Sequence, residues 1–180
     1  MSSRSLPGFG APAVGFDAPF DMLSACHERV ERSLQLLQRL RRYLREQGVD
    51  DQARLAARDV LRYFDIAAPL HHQDEELHVF PLLQALGDAP LTTLVERLQR
   101  DHAAMTADWH VAREPLQALA DGRINRFDLA QEAALETFVA RYDDHIQAEE
   151  STAYPEARAR LQPEQLLAMG QEMARRRGAR

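Results

Sequence analysis

Two stretches of the chain carry the same reactive residues at the same spacing. His71-His72-Gln73-Asp74-Glu75-Glu76-Leu77-His78-Val79-Phe80-Pro81 returns as His145-Ile146-Gln147-Ala148-Glu149-Glu150-Ser151-Thr152-Ala153-Tyr154-Pro155, each position displaced by 74 residues. In both copies a His and a Glu stand four residues apart, which on an α-helix puts an imidazole and a carboxylate on one face, one turn apart. A helix offers two ligands to one metal ion in this way. A lone His-x-x-x-Glu arises by chance in many helices, whereas two copies sharing Gln, Glu-Glu and aromatic-Pro do not.

The repeat reaches further, because His27 and His102 are themselves 75 residues apart. The chain reads as two similar helical hairpins, each giving a lone His from its first helix and a His-x-x-x-Glu from its second. Folded about a pseudo-twofold axis, they bring His27, His71 and Glu75 against His102, His145 and Glu149. Four imidazoles with two carboxylates suit iron or manganese, with carboxylates able to bridge two ions, and zinc also fits the donor set.

The repeat also sets the register. His72 could pair with Glu76, but its counterpart Ile146 cannot bind metal, so His71 with Glu75 is favoured. Glu76 and Glu150 recur together, about 100° from the ligand face, and are expected in hydrogen bonds behind the ligands or in surface ion pairs. Asp74, Asp143 and Asp144 are expected to accept the outer N–H of ligand imidazoles. His72, His78 and His110 lack a His in the other half and are read as ordinary imidazoles. Cys26, beside His27, reads as a small core residue, Trp109 as core, and Phe80 and Tyr154 as walls of the site. A ferritin-like centre needs two Glu-x-x-His motifs, and Glu149 is followed at that spacing by Thr152. Zinc-protease spacing fails too, since Glu31 stands four residues after His27.

These residues need helices to hold them. Residues 1–20, with Pro7, Gly8, Gly10, Pro12, Gly15 and Pro19, read as a flexible arm that Phe9, Phe16 and Phe20 could dock. Apolar residues at helical spacing predict a first helix from an Asp21 cap to Gly48, carrying His27. The same spacing predicts a second helix from Asp51 to Leu86, with Leu55 and Leu77 among its apolar positions and kinks or breaks at Pro69 and Pro81. A third helix over Leu91–Ala120 carries His102 and Trp109, with a kink at Pro115. A fourth runs from about Asn125 or Asp128 to Leu161, with Leu129 inward and a bend at Pro155. Pro163 opens a short amphipathic helix with Leu166, Leu167 and Met169, expected on the outside and ending in the basic tail Arg175-Arg176-Arg177. No strand alternation is seen. The expected fold is all-α, an antiparallel up-down four-helix bundle over 21–161 between the arm and a C-terminal helix and tail over 162–180.

Composition narrows the function. At 180 residues and 45% hydrophobic the chain suits one domain with a substantial core. A net charge of −6 argues against nucleic acid and anionic membranes as partners. A single cysteine excludes disulfide frameworks and thiolate-rich metal sites. No signal-peptide core or membrane-length apolar run is present, so a soluble cytoplasmic protein is expected.

From about Phe20 to Leu161 the chain resembles the hemerythrin-like proteins of the HHE cation-binding type, on His27, His102 and the two motifs at 71–81 and 145–155. The resemblance implies a four-helix bundle around two iron ions in an oxo- or hydroxo-bridged non-haem centre. Its metal ligands would be His27, His71, Glu75, His102, His145 and Glu149, with Glu75 and Glu149 bridging. It implies binding or sensing of dioxygen, iron or redox state, or alternatively enzymatic turnover of peroxide, nitric oxide or dioxygen. The chain departs from the oxygen-carrying hemerythrins at Thr106, where those place a second His one turn after the first, and in its shorter His-to-carboxylate spacing in the fourth helix. The arm could cover the site or mediate a homodimer.

Overall fold

The computed structural model describes residues 15–178, and the first fourteen residues of the expected arm lie outside that range. Among the described residues all regular structure is helical. Four long helical runs and a shorter fifth make up the molecule. They are α1 (Pro19–Glu46), α2 (51–84), α3 (Ala89–Ala120), α4 (129–158) and α5 (Pro163–Arg176).

Local chemistry sets the boundaries. α1 starts two residues before the predicted Asp21 cap because Pro19 is pre-set for a first helical turn; Asp21 instead lies in that turn, where a carboxylate meets the positive end of the helix dipole. Gly48, at φ +82°, takes the left-handed conformation after α1 that a side chain disfavours. α2, α3 and α4 are capped by Asp50, Asp88 and Asp128, whose carboxylates accept from the N–H of Ala53, Leu91 and Gln131.

The predicted kinks of α2 take a different form, since the helix runs on through Pro69 and Pro81. Single π turns occupy Tyr63–Ala67 and Glu75–Val79 in α2, and Glu149–Ala153 in α4. Each ends two residues before a proline. A proline leaves one upstream carbonyl without its partner and crowds it, and a locally widened turn relieves both. Two of these turns begin at the motif glutamates, with Phe80 N–H bonded to the Glu75 carbonyl and Tyr154 N–H to that of Glu149. α4 is also broken at a place not expected: its helical hydrogen bonding is interrupted at 140–142, just before the His145 motif.

The interior splits into two apolar clusters. Along α1, Leu23 belongs to one and Val30 to the other; along α2 the change falls between Ala68 and Val79, along α3 between Leu98 and Met105, and along α4 between Ile146 and Ala153. In α1, α2 and α3 the crossover contains the predicted ligands, and in α4 it contains Glu149, with His145 just before it. The site is therefore a polar layer sandwiched by two dry cores, held by all four long helices.

Several predicted apolar positions face outward: Leu55, Leu77 and Leu167 are half exposed, and Leu129, on the first turn of α4, is 90% exposed. α5 is less peripheral than expected, because Met169 and Met173 are buried in the cluster nearer Phe20. Trp109 packs on Phe64 and Phe138 but keeps its indole N–H at the edge, donating to Asp65 at 3.0 Å. Among the described residues no helix is long and apolar enough to cross a membrane.

Candidate metal centre

α1 brings in His27, α2 His71 and Glu75, α3 His102, and α4 His145 and Glu149, and none of the six is more than 4% exposed. The two carboxylates sit in the middle. Glu75 turns Oε1 toward Nε2 of His71 (3.4 Å) and His27 (3.9 Å), and Oε2 toward Nε2 of His102 (3.4 Å). Glu149 turns Oε1 toward Nε2 of His145 (3.0 Å) and His102 (3.7 Å), and Oε2 toward Nε2 of His27 (3.1 Å). Two donor sets result, one around His27 and His71 and one around His102 and His145. Each carboxylate has one oxygen in each set, the geometry a bridging ligand needs.

Five of the inward-facing donor atoms lack other employment. Nε2 of His102 and His145, Oε2 of Glu75 and both carboxylate oxygens of Glu149 are buried without a hydrogen-bond partner. One such atom costs roughly 1–3 kcal/mol, so five converging on one spot describe a site shaped for cations. The atoms of His27, His71, Glu75 and Glu149 that face inward lie within 4.8 Å of one another.

Behind the donors, the two halves support each other crosswise. Nδ1 of His27, from the first half, is 2.7 Å from Glu150 of the second, which also accepts from Ser24. Nδ1 of His102, from the second half, is 3.0 Å from Glu76 of the first. The aromatic residues cross over likewise: Tyr154 stacks on His27 with centroids 5.4 Å apart, and Phe80 lies 5.4 Å from His102. Tyr154 also donates its hydroxyl to Glu75 Oε1, a contact its counterpart Phe80 cannot make.

The expected aspartates do not serve this purpose. Asp74 is fully buried but faces Arg176 and Arg177 of α5, and Asp143 and Asp144 are exposed. Asp101 stands in their place, 3.4 Å from Nδ1 of His145. Its counterpart in the repeat is Cys26, and Nδ1 of His71 accordingly has no partner. The repeat could not reveal Asp101, since it occurs in one half only. His78 pairs with Glu172 of α5 at 2.6 Å, whereas His72, read from sequence as an ordinary imidazole, is drawn against the site, its ring stacked on His102 at 3.9 Å.

Electrostatics match this crowding. Burial opposes charge on His27 and His102, but the carboxylates that face them outweigh it, raising the pKa of His27 to about 9 and that of His102 to about 11. Burial and the adjacent Glu149 charge push Glu75 up to about 7, while Glu149, despite burial, is held well below the usual range by the facing imidazoles of His102, His145 and His27. Burial drives His71 and His72 strongly toward the neutral form, the form that ligates metal. Burial and both carboxylates keep the Tyr154 phenol protonated. The arrangement thus holds positive charge between two carboxylates, as protons when no metal is bound.

The family model for the hemerythrin HHE cation binding domain matches residues 18–157. An uncharacterized protein of Haemophilus influenzae is 34% identical over 163 residues, which cover 90% of this chain and 91% of that one.

Proposed function

The chain belongs to the hemerythrin HHE cation-binding family, and from that premise we propose that it is a non-haem di-iron protein that binds or senses dioxygen, iron or redox state. On this reading the helices form the antiparallel four-helix bundle of the family. His27 and His71 would hold one ion and His102 and His145 the other, with Glu75 and Glu149 shared between them. The observation that carries the reading is the pair of buried carboxylates, each with one oxygen toward the imidazoles of either half.

Bound iron would supply a one-electron couple at each ion and coordination places for small oxygen or nitrogen-oxide ligands. The chain's own groups do the rest. Glu150 and Glu76 fix the ring planes of His27 and His102 and favour the tautomer with Nε2 free. Tyr154 holds a proton at its hydroxyl against Glu75. The two apolar clusters keep bulk water out. The working compartment on this reading is the cytoplasm, and the partner a small diatomic molecule or peroxide rather than nucleic acid or membrane.

Anaerobic loading with ferrous iron followed by metal counting tests the centre, and spectra recorded reduced, after air and with azide test its chemistry. Two irons per chain are expected, and fewer than about one would refute the dinuclear reading. A second reading, a di-iron enzyme turning over peroxide, nitric oxide or dioxygen, draws support from Thr106: its hydroxyl bonds its own helix at the His102 carbonyl (2.9 Å) and offers no ligand at that turn. Rapid turnover by the iron-loaded protein favours the enzyme; iron-dependent stability without turnover favours the sensor.

A further inference from the structure

One imidazole near the centre breaks its twofold pattern. The repeat puts Ile146 where α2 has His72, and Ile146 is buried in the apolar cluster as a core residue should be. His72 is instead partly exposed, with a ring nitrogen within 4.8 Å of ligand nitrogens of both His102 and His145. Its ring is stacked face to face on that of His102, inclined by 10°, so to share an ion with His102 it must turn out of the stack about its own side-chain bonds. The crowding is one-sided. The His27 and His71 set has no third imidazole, while the His102 and His145 set has one, on the side where α3 carries Thr106.

His72 also forms a wall. A cavity of about 110 Å³ opens between α2 and α3, lined by His72, Met105, Thr106, Trp109 and Tyr142 among others. Of its lining, Thr106 and Pro69 are exposed, and His72 has a ring nitrogen within 4.8 Å of those of His102 and His145, which do not line it. Its volume has room for a two- or three-atom molecule. A small ligand entering there meets His72 before it meets His102 or His145.

We propose that His72 is a displaceable third imidazole ligand of the ion held by His102 and His145, and that the cavity behind it is the entry for a small ligand that takes its place. This rests on the di-iron reading above. The asymmetry then has a consequence: the two ions differ, and the one beside Thr106 is reached by the incoming molecule. Peroxide, nitric oxide and dioxygen all fit the cavity, and azide is a probe of the same size.

The test uses the full chain loaded anaerobically with ferrous iron and then oxidised, in wild type, His72→Ile, which copies the residue at position 146, and His72→Ala. Helical circular dichroism checks that both variants fold. The expected result is two irons per chain in all three, an altered visible spectrum in both variants, and azide bound about tenfold more tightly, the gain when a competing group that fills the place nine-tenths of the time is removed. Unchanged spectrum and azide affinity in both variants would overturn the proposal, as would loss of one iron, which would make His72 a fixed ligand. Failure of the wild type to take up about one iron would instead remove the centre itself, and the proposal with it.

Discussion

At the scale of single residues, neighbouring carboxylates in one motif have different tasks, and substitution should separate them. Glu149 faces both donor sets, so Glu149→Ala is expected to loosen both ions together; iron counting that finds one ion still firmly bound would refute the bridge. Among the six site residues Glu150 is hydrogen-bonded only to His27. Glu150→Gln is therefore expected to weaken one ion by about 10- to 100-fold, the usual effect of losing the group behind a ligating imidazole, and an iron-chelator competition reads it directly. Protons compete for the same places. His27 and His102 titrate in the folded chain near 9 and 11, above 6.5 when unfolded, so the stability they give is complete below pH 6.5 and is lost as pH rises through those values. Glu75, raised to about 7, acts in the same sense from its ordinary 4.5 upward, while the depressed Glu149 contributes above 4.5 and loses its contribution in acid. Metal-free protein should melt at a higher temperature at pH 6 than at pH 9.5, and its affinity for ferrous iron should rise over that window as metal displaces protons. A melting temperature that climbs with pH between these values would contradict the charge arrangement.

At the scale of elements, the fifth helix is tied to the motif helix at a position next to Glu75. Asp74 is fully buried and accepts from both Arg176 and Arg177, Gln73 accepts from Arg176, and His78 meets Glu172, so α5 is latched along the length of the first motif. Removing Asp74 leaves Arg177 with no carboxylate and Arg176 with Glu172 alone. Asp74→Ala should cost about 3 kcal/mol or more, as for a broken buried pair, measured by urea unfolding of the metal-free protein, while Arg176→Ala should cost less because Arg177 still reaches Asp74. A loss below about 1 kcal/mol for Asp74→Ala would mean that solvent replaces the latch. Gly170 shows how tightly α5 is seated. A Cβ there would lie 1.7 Å from the Phe16 carbonyl oxygen, so Gly170→Ala should push residues 15–18 off the helix.

At the scale of the whole molecule, repetition explains what could be read from the chain and what could not. The six residues gathered between the two cores were visible because they recur at an offset of 74 or 75 residues, and the all-helical class because apolar residues recur at 3.6-residue spacing. Everything asymmetric escaped. Asp101, His72 and the Asp74 latch each occur once, and Leu55 and Leu129 fit the helical period yet point outward, because periodicity records which residues share a face and not what covers it. The π turns were hidden for a related reason: a proline signals a lost hydrogen bond, but only the packed helix decides between a kink and a widened turn. The same architecture makes a final prediction. Since each long helix passes from one apolar cluster to the other at its ligands, iron should join the two cores into one unfolding unit. Each ion bound at about 100 times its dissociation constant adds about 2.7 kcal/mol, so two should move the urea midpoint of the whole chain upward together. Hydrogen exchange separates this from local tightening: with ferrous iron, amides around His27 and His71 and those around His102 and His145 should gain protection in parallel. Protection confined to one hairpin would show that the halves do not share their metal.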